Sequence, residues 1–174
     1  MLANEPPSAL AGSTMSEFTP TAQRIALLAR PLVFTNGVFD LLHAGHVMCL
    51  QEARKLGGSL AVGINSDASA RRGNKGPGRP FNAEAHRCRV MAALRCVDAV
   101  FLFEQDQAAE LMRLLRPEVY VKGSDYQVAT LAEARLMASW GGRTVIVPRF
   151  DGLSSSQLVN RILAAHATAP LHSQ

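Results

Sequence analysis

Apolar residues along the chain fall into short, nearly unbroken runs separated by segments with three- and four-residue spacing. The runs LVF, LAVGI, AVFLF, VYV and TVIV mark candidate strands over Pro31–Asn36, Ser59–Asn65, Val97–Phe103, Glu118–Lys122 and Arg143–Pro148. Strands that are apolar at almost every position, rather than at alternate ones, must be covered on both faces. Helical spacing fills the intervals. Ala44–Leu56 is stopped by Gly57-Gly58, Asn82 is placed to cap Ala83–Leu94, and Gln107–Leu115 ends before Pro117. Leu131–Trp140 runs to Gly141-Gly142, and Ser154–Ala165 closes the pattern.

Strand–helix alternation of this kind predicts an α/β domain, doubly wound around a parallel sheet with right-handed connections. Such sheets bind ligands beyond the carboxyl ends of their strands, beside the switch point in strand order. Residues 1–18 and 167–174 lack periodicity and read as tails, the first mobile, leaving one domain over 19–166. The longest apolar stretches fall well short of the ~20 residues that cross a bilayer, and no secretory signal is visible, so no membrane partner is expected. Three cysteines without a C-x-x-C pair suit reduced thiols in a cytoplasm.

Charge narrows the partners. The net charge is +4, and the excess is local: six basic residues lie between Arg71 and Arg89 against the single acid Glu84. Without interleaved aromatics, the cluster fits a phosphate pocket better than a nucleic-acid track, although a solvated basic loop would look the same.

The first strand runs straight into Thr35-Asn-Gly-Val-Phe-Asp-Leu-Leu-His-Ala-Gly-His46, and a helix follows. Asn36-Gly37 permits a tight turn with positive φ, and Gly45 lets backbone approach a ligand. A helix start offers unpaired N–H groups and a positive dipole end, so His43 and His46 can meet one phosphate there. Alone, an H-x-x-H pair would equally describe a helix cap or half of a metal site. No further Cys or His follows at zinc-like spacing, and no protein metal site is expected.

The complete string closely resembles the signature of the cytidylyltransferase-like nucleotidyltransferases. Gly63-Ile-Asn-Ser-Asp67, Lys75-Gly-Pro-Gly-Arg-Pro80, Arg87, Val97-Asp98, Arg116-Pro117 and Val121-Lys-Gly-Ser-Asp-Tyr126 recur in order. Together they resemble the bacterial heptose 1-phosphate nucleotidyltransferase branch over roughly residues 30–163. The expected architecture is a single Rossmann-like domain whose five strands run in the order 3-2-1-4-5. Two departures stand out: the family's Ser-Thr-Thr is Ser154-Ser-Ser156 here, and its K-G-G-D-Y has Ser124 at the third position. A kinase domain often precedes this one in the family; 18 residues cannot hold it, so a free-standing transferase half is expected.

The resemblance implies transfer of AMP from ATP, carried with Mg²⁺, to D-glycero-D-manno-heptose 1-phosphate, with pyrophosphate released. It assigns catalysis to His43, His46 and Lys75, the last in a Gly/Pro-rich loop that closes over the substrates. Nucleotide binding falls to Thr35, Asn36, Gly37, Phe39, Asp40, Gly45, Lys122, Ser154, Ser155 and Ser156. Substrate binding falls to Asp67, Arg71, Arg79, Arg87 and Asp125, the arginines by bidentate pairing with phosphate. Arg72 and Arg89 are expected in solvent. The partners expected are ATP and a sugar phosphate, no nucleic acid, and further copies of the chain in a homo-oligomer, a dimer favoured. Two alternatives stay open: a cytidylyltransferase for glycerol phosphate or a phosphoalcohol, and a non-catalytic nucleotide-sensing or nucleic-acid-binding module.

Overall fold

A computed structural model of the chain describes residues 15–73, 76, 78–124, 127–128, 131–148 and 154–168. Its strands are β1 (Leu32–Gly37), β2 (Ser59–Asn65), β3 (Ala99–Phe103), β4 (Val119–Gly123) and β5 (Arg143–Val147). They pair in parallel in the order β3-β2-β1-β4-β5, as the sequence led us to expect. Consecutive residues of a strand point to opposite faces, and the apolar runs therefore feed two cores. Val33, Val62, Ile64, Val100 and Val121 pack with Leu50, Ala53, Cys88 and Met91 in one core. Leu32, Phe34, Ala61, Phe101 and Tyr120 pack with Leu111, Met112, Leu115 and Met137 in the other. The helices that supply those partners are α2 (Ala44–Arg54) and α4 (Glu84–Ala92) for the first core, α5 (Ala109–Leu115) and α6 (Ala132–Ala138) for the second. Each large aliphatic side chain so buried contributes about 1.5–3 kcal/mol.

Element boundaries differ from the pattern where a local bond intervenes. β3 begins at Ala99 rather than Val97, because the Val97 amide donates to Leu94 O and closes a turn first. Asn82 does not cap α4. Its side-chain amide donates instead to Asp40 O, and Ala83 occupies the cap position. α2 stops at Arg54, short of Leu56, and Gly57 and Gly58 beyond it serve packing: a Cβ on them would press into the carbonyl oxygens of Pro31 and Arg30, respectively.

Three short elements carry no sequence periodicity. They are α1 (Ala22–Ala26), capped by Thr21, α3 (Asp67–Arg72), capped by Ser66, and a 3-10 turn over Met15–Phe18. That turn lies within the stretch read as a tail, and its Phe18 is buried in the first core. The last helix, α7 (Ser155–Thr168), runs two residues into the other expected tail. No helix among the described residues is long and apolar enough to cross a membrane.

Candidate active site

β1 ends at Gly37, which still pairs with Ile64, and the chain then turns away from the sheet. The residue with positive φ is Phe39, at 48°, not the Asn36-Gly37 pair that the sequence suggested. Gly37 serves by its missing Cβ, which would stand 3.1 Å from the Phe39 ring. A bulky residue held in the left-handed region is strained, and such strain persists only where surrounding contacts enforce it. Here the Phe39 ring meets His46 edge-on at 5.3 Å between centroids.

The loop delivers His43 to the N-cap of α2 in extended conformation, with His46 three residues on. A helical rise over three residues brings two such side chains to the same face. The imidazoles accordingly lie 3.8 Å apart, tilted by 30°. The His43 amide donates to His46 Nδ1 at 3.4 Å, so a neutral His46 ring carries its proton on Nε2.

Both rings line a cleft of about 330 Å³ at the carboxyl ends of β1 and β4. The parallel register of β1 with β4 brings Lys122 beside Asn36, and Lys122 Nζ donates to Asn36 O at 3.2 Å. The Tyr120 hydroxyl donates to Asn36 Oδ1 at 2.8 Å, fixing that side chain from below. Across the cleft, Ser154 Oγ accepts from the Gln157 amide and caps α7, while Ser155 Oγ donates to Leu41 O. Thr35, Gly37, Phe39, Asp40, Gly45 and Ser156 complete this wall. Every residue expected at the nucleotide thus lines one cavity.

Arg79 also lines it, 3.7 Å from Asp40 and 4.9 Å above the Phe81 ring. The Asp40 carboxylate accepts from the Phe81 and Asn82 amides at 3.0 and 2.9 Å. Asp40 therefore ties the histidine loop to the segment that carries Arg79.

The other residues expected at the substrate are placed differently. Arg87 is buried, donating to Asn82 O, Val38 O, Asn65 O and Asp67 Oδ1. The guanidinium is satisfied by the Asp67 carboxylate and by backbone, because α4 packs against β2 and β3 and its Arg87 reaches the chain just past β1. Arg71 is exposed and lines neither of the two cavities described here. Lys75 and Asp125 lie outside the described residues.

A second cavity, of about 340 Å³, shares Asn36, Gly37, Val38, Ala70 and Lys122 with the first. It extends to Asn65, Ser69, Arg72, Asp106, Leu131 and Glu133, none of which the sequence singled out for a site. Arg72, expected in solvent, donates to Asp106 at 2.5 Å and to Glu104 O at 2.6 Å. These residues come from three separate stretches, only Asn65 falls within a family motif, and they meet only because the strands are ordered as they are.

Burial pushes the Cys88 thiol up to about 12, so it stays protonated near neutral pH and is no nucleophile. Among the described residues no three His, Cys, Asp or Glu side chains converge as a metal site would require.

The family model described as Cytidylyltransferase-like matches residues 34–172. The D-beta-D-heptose 1-phosphate adenylyltransferase of Bordetella bronchiseptica is 50% identical over 135 residues, 78% of this chain and 83% of that protein. The bifunctional protein HldE of Streptomyces coelicolor is 54% identical over 140 residues, 80% of this chain. The match spans only 30% of that longer relative. Among solved structures, the lipopolysaccharide core biosynthesis protein from Thermoplasma volcanium superposes with a TM-score of 0.57 at 30% identity, covering 69% of this chain and 98% of that one. Pantothenate synthetase from Thermus thermophilus reaches 0.58 at 17% identity, covering 80% and 66%, a likeness of fold alone.

Proposed function

This chain belongs to the cytidylyltransferase-like family, and we propose that it transfers AMP from ATP to D-glycero-D-manno-heptose 1-phosphate, the β anomer, forming ADP-heptose and pyrophosphate. The observation that carries the reading is the convergence of two stacked imidazoles, Lys122 and the α7 serines on one cleft that opens into a second. One cavity suits the nucleotide and the adjoining one its co-substrate.

The chemistry asks little covalent work of the protein. An oxygen of the sugar's phosphate attacks the α-phosphorus, the new P–O bond forms, and the bond to pyrophosphate breaks with its electron pair. The nucleophile is already anionic, so no side chain need activate it. Catalysis lies in alignment and in neutralising charge on phosphate oxygens. His43 and His46 donate to the phosphates from the start of α2, where the helix end adds its own positive field. Lys122 supplies a compact charge, and Ser154–Ser156 donate from the start of α7. Arg79, steered by Asp40, faces the phosphates from the opposite loop. Lys75 joins from the sequence motif. Magnesium would be carried in with ATP by the triphosphate and would neutralise charge on its oxygens. ATP as donor places the reaction in the cytoplasm, and a homodimer remains the expected assembly.

Pyrophosphate release, measured across ATP and CTP against heptose 1-phosphate and glycerol 3-phosphate, tests the reading. The ATP–heptose pair should exceed the CTP–glycerol pair in kcat/KM by at least about 100-fold, the discrimination that matched polar contacts achieve. Equal rates, or a preference for CTP, would move the assignment to a glycerol phosphate or phosphoalcohol cytidylyltransferase.

A further inference from the structure

Charge is sorted along the second cavity. Lys122 stands where it joins the histidine cleft, while the carboxylates of Glu133 and Asp106 line the second cavity alone. The two acids differ. Asp106 is compensated by Arg72, whose Nε lies 2.5 Å from it. Glu133, half-buried at the start of α6, makes no hydrogen bond or ion pair with any described residue. An anion beside Glu133 would meet like charge, whereas a polyol would meet an acceptor for its hydroxyl protons. Next to it, Leu131 is 8% exposed and gives the cavity an apolar wall, which suits the C–H face of a sugar. A cavity of about 340 Å³ falls within the size range of small-molecule sites.

We infer that Glu133 is a specificity-determining residue for the sugar. Its carboxylate accepts hydrogen bonds from sugar hydroxyls, while the sugar's phosphate lies at the Lys122 end, facing the α-phosphorus of the nucleotide. The inference rests on the reaction proposed above and adds to it the orientation of the second substrate. Phosphate at the cationic junction and hydroxyls at the acidic end is the placement that opposes no like charges. A carboxylate reading hydroxyls also discriminates well, because an analogue without them leaves the charge unpaired.

The test compares wild type, Glu133→Ala, Glu133→Gln and, as a control outside both cavities, Glu52→Gln. Pyrophosphate release is followed with heptose 1-phosphate and with glycerol 3-phosphate, and thermal melts accompany each protein. Glu133→Ala should raise the KM for heptose 1-phosphate by at least about tenfold, the loss of one charged hydrogen bond. The kcat, the KM for ATP and the melting temperature should change little, as when binding common to ground and transition states is removed. Glu133→Gln should fall between the two, since a neutral acceptor bonds about half as strongly. The preference for heptose 1-phosphate over glycerol 3-phosphate should shrink by the same factor as the KM rises. A wild type inert toward heptose 1-phosphate would overturn the reaction and the inference together. A wild type active on it, beside a Glu133→Ala variant with unchanged KM, would overturn the inference alone. Loss of kcat and of melting temperature without a KM effect would likewise assign Glu133 to structure and overturn it.

Discussion

Replacing Arg87 separates a substrate ligand from a structural brace. The Arg87 side chain is fully buried, and its partner Asp67 is only 22% exposed. Arg87→Ala would strand three carbonyls, of Val38, Asn65 and Asn82, together with the Asp67 carboxylate. Those four acceptors come from the exit of β1, the end of β2, the segment before α4 and the start of α3, so one guanidinium joins four pieces of chain around the cleft. Removing one partner of a buried ion pair costs about 3–5 kcal/mol. The hydrogen bonds belong to the same group and are not added again. In a chain of this size about 1 kcal/mol shifts the melting temperature by 2–4 °C, so a fall of roughly 6–20 °C is expected. That is a large part of the 5–15 kcal/mol or so that holds a typical domain together. Arg87→Lys should recover part of the loss, because an ammonium can reach some of the acceptors but not span them in one plane. Differential scanning calorimetry gives the stability, and steady-state kinetics below the transition give the function. Both KM values and kcat should worsen together as the loop after β1 loses its anchor. A variant that melts like wild type and shows only a raised KM for the sugar phosphate would refute the brace and return Arg87 to the substrate.

Two further predictions concern the cleft and the sheet. His43→Ala and His46→Ala should each lower kcat/KM by about 100-fold or more, the scale of losing one transition-state donor, with melting curves unchanged; near-normal turnover in either would remove its role. Glu118 binds the Leu32 amide and Arg30; burial alone would raise its carboxyl, but these bonds outweigh it and hold the group below its ordinary value. A depressed carboxylate stabilises the fold above its unfolded-state value and loses that contribution as pH falls through the folded one. Glu118→Gln should therefore be less stable than wild type at pH 7, with the gap closing below about pH 4 in denaturant titrations; a gap independent of pH would show that ionisation plays no part.

The site was legible wherever its residues lie within one turn or one strand end of each other. His43 and His46 are three apart across a helix start, a local spacing that sets their rings 3.8 Å apart. Ser154 sits one residue before α7, so its cap bond is local as well. Arg87 shows the limit of such reading. The family resemblance implied a phosphate ligand at Arg87, but its bond to Val38 O joins residues 49 apart and exists only because α4 packs against β2 and β3, within reach of the chain leaving β1. The same holds for Glu133 and Arg72, which no motif marks.

From the sequence alone, then, come the alternation of apolar strands and amphipathic helices, the parallel doubly wound sheet, and the histidine pair at a helix start. Each of these follows from periodicities and cap chemistry that act over a few residues. Only the tertiary structure decided that Phe39 rather than Gly37 takes the left-handed turn, that Arg87 and Asp67 satisfy each other, and that a second cavity, lined in part by Glu133, adjoins the first. Those outcomes depend on which strand ends stand side by side, and a side chain's partner across a sheet is set by that order rather than by its neighbours along the chain.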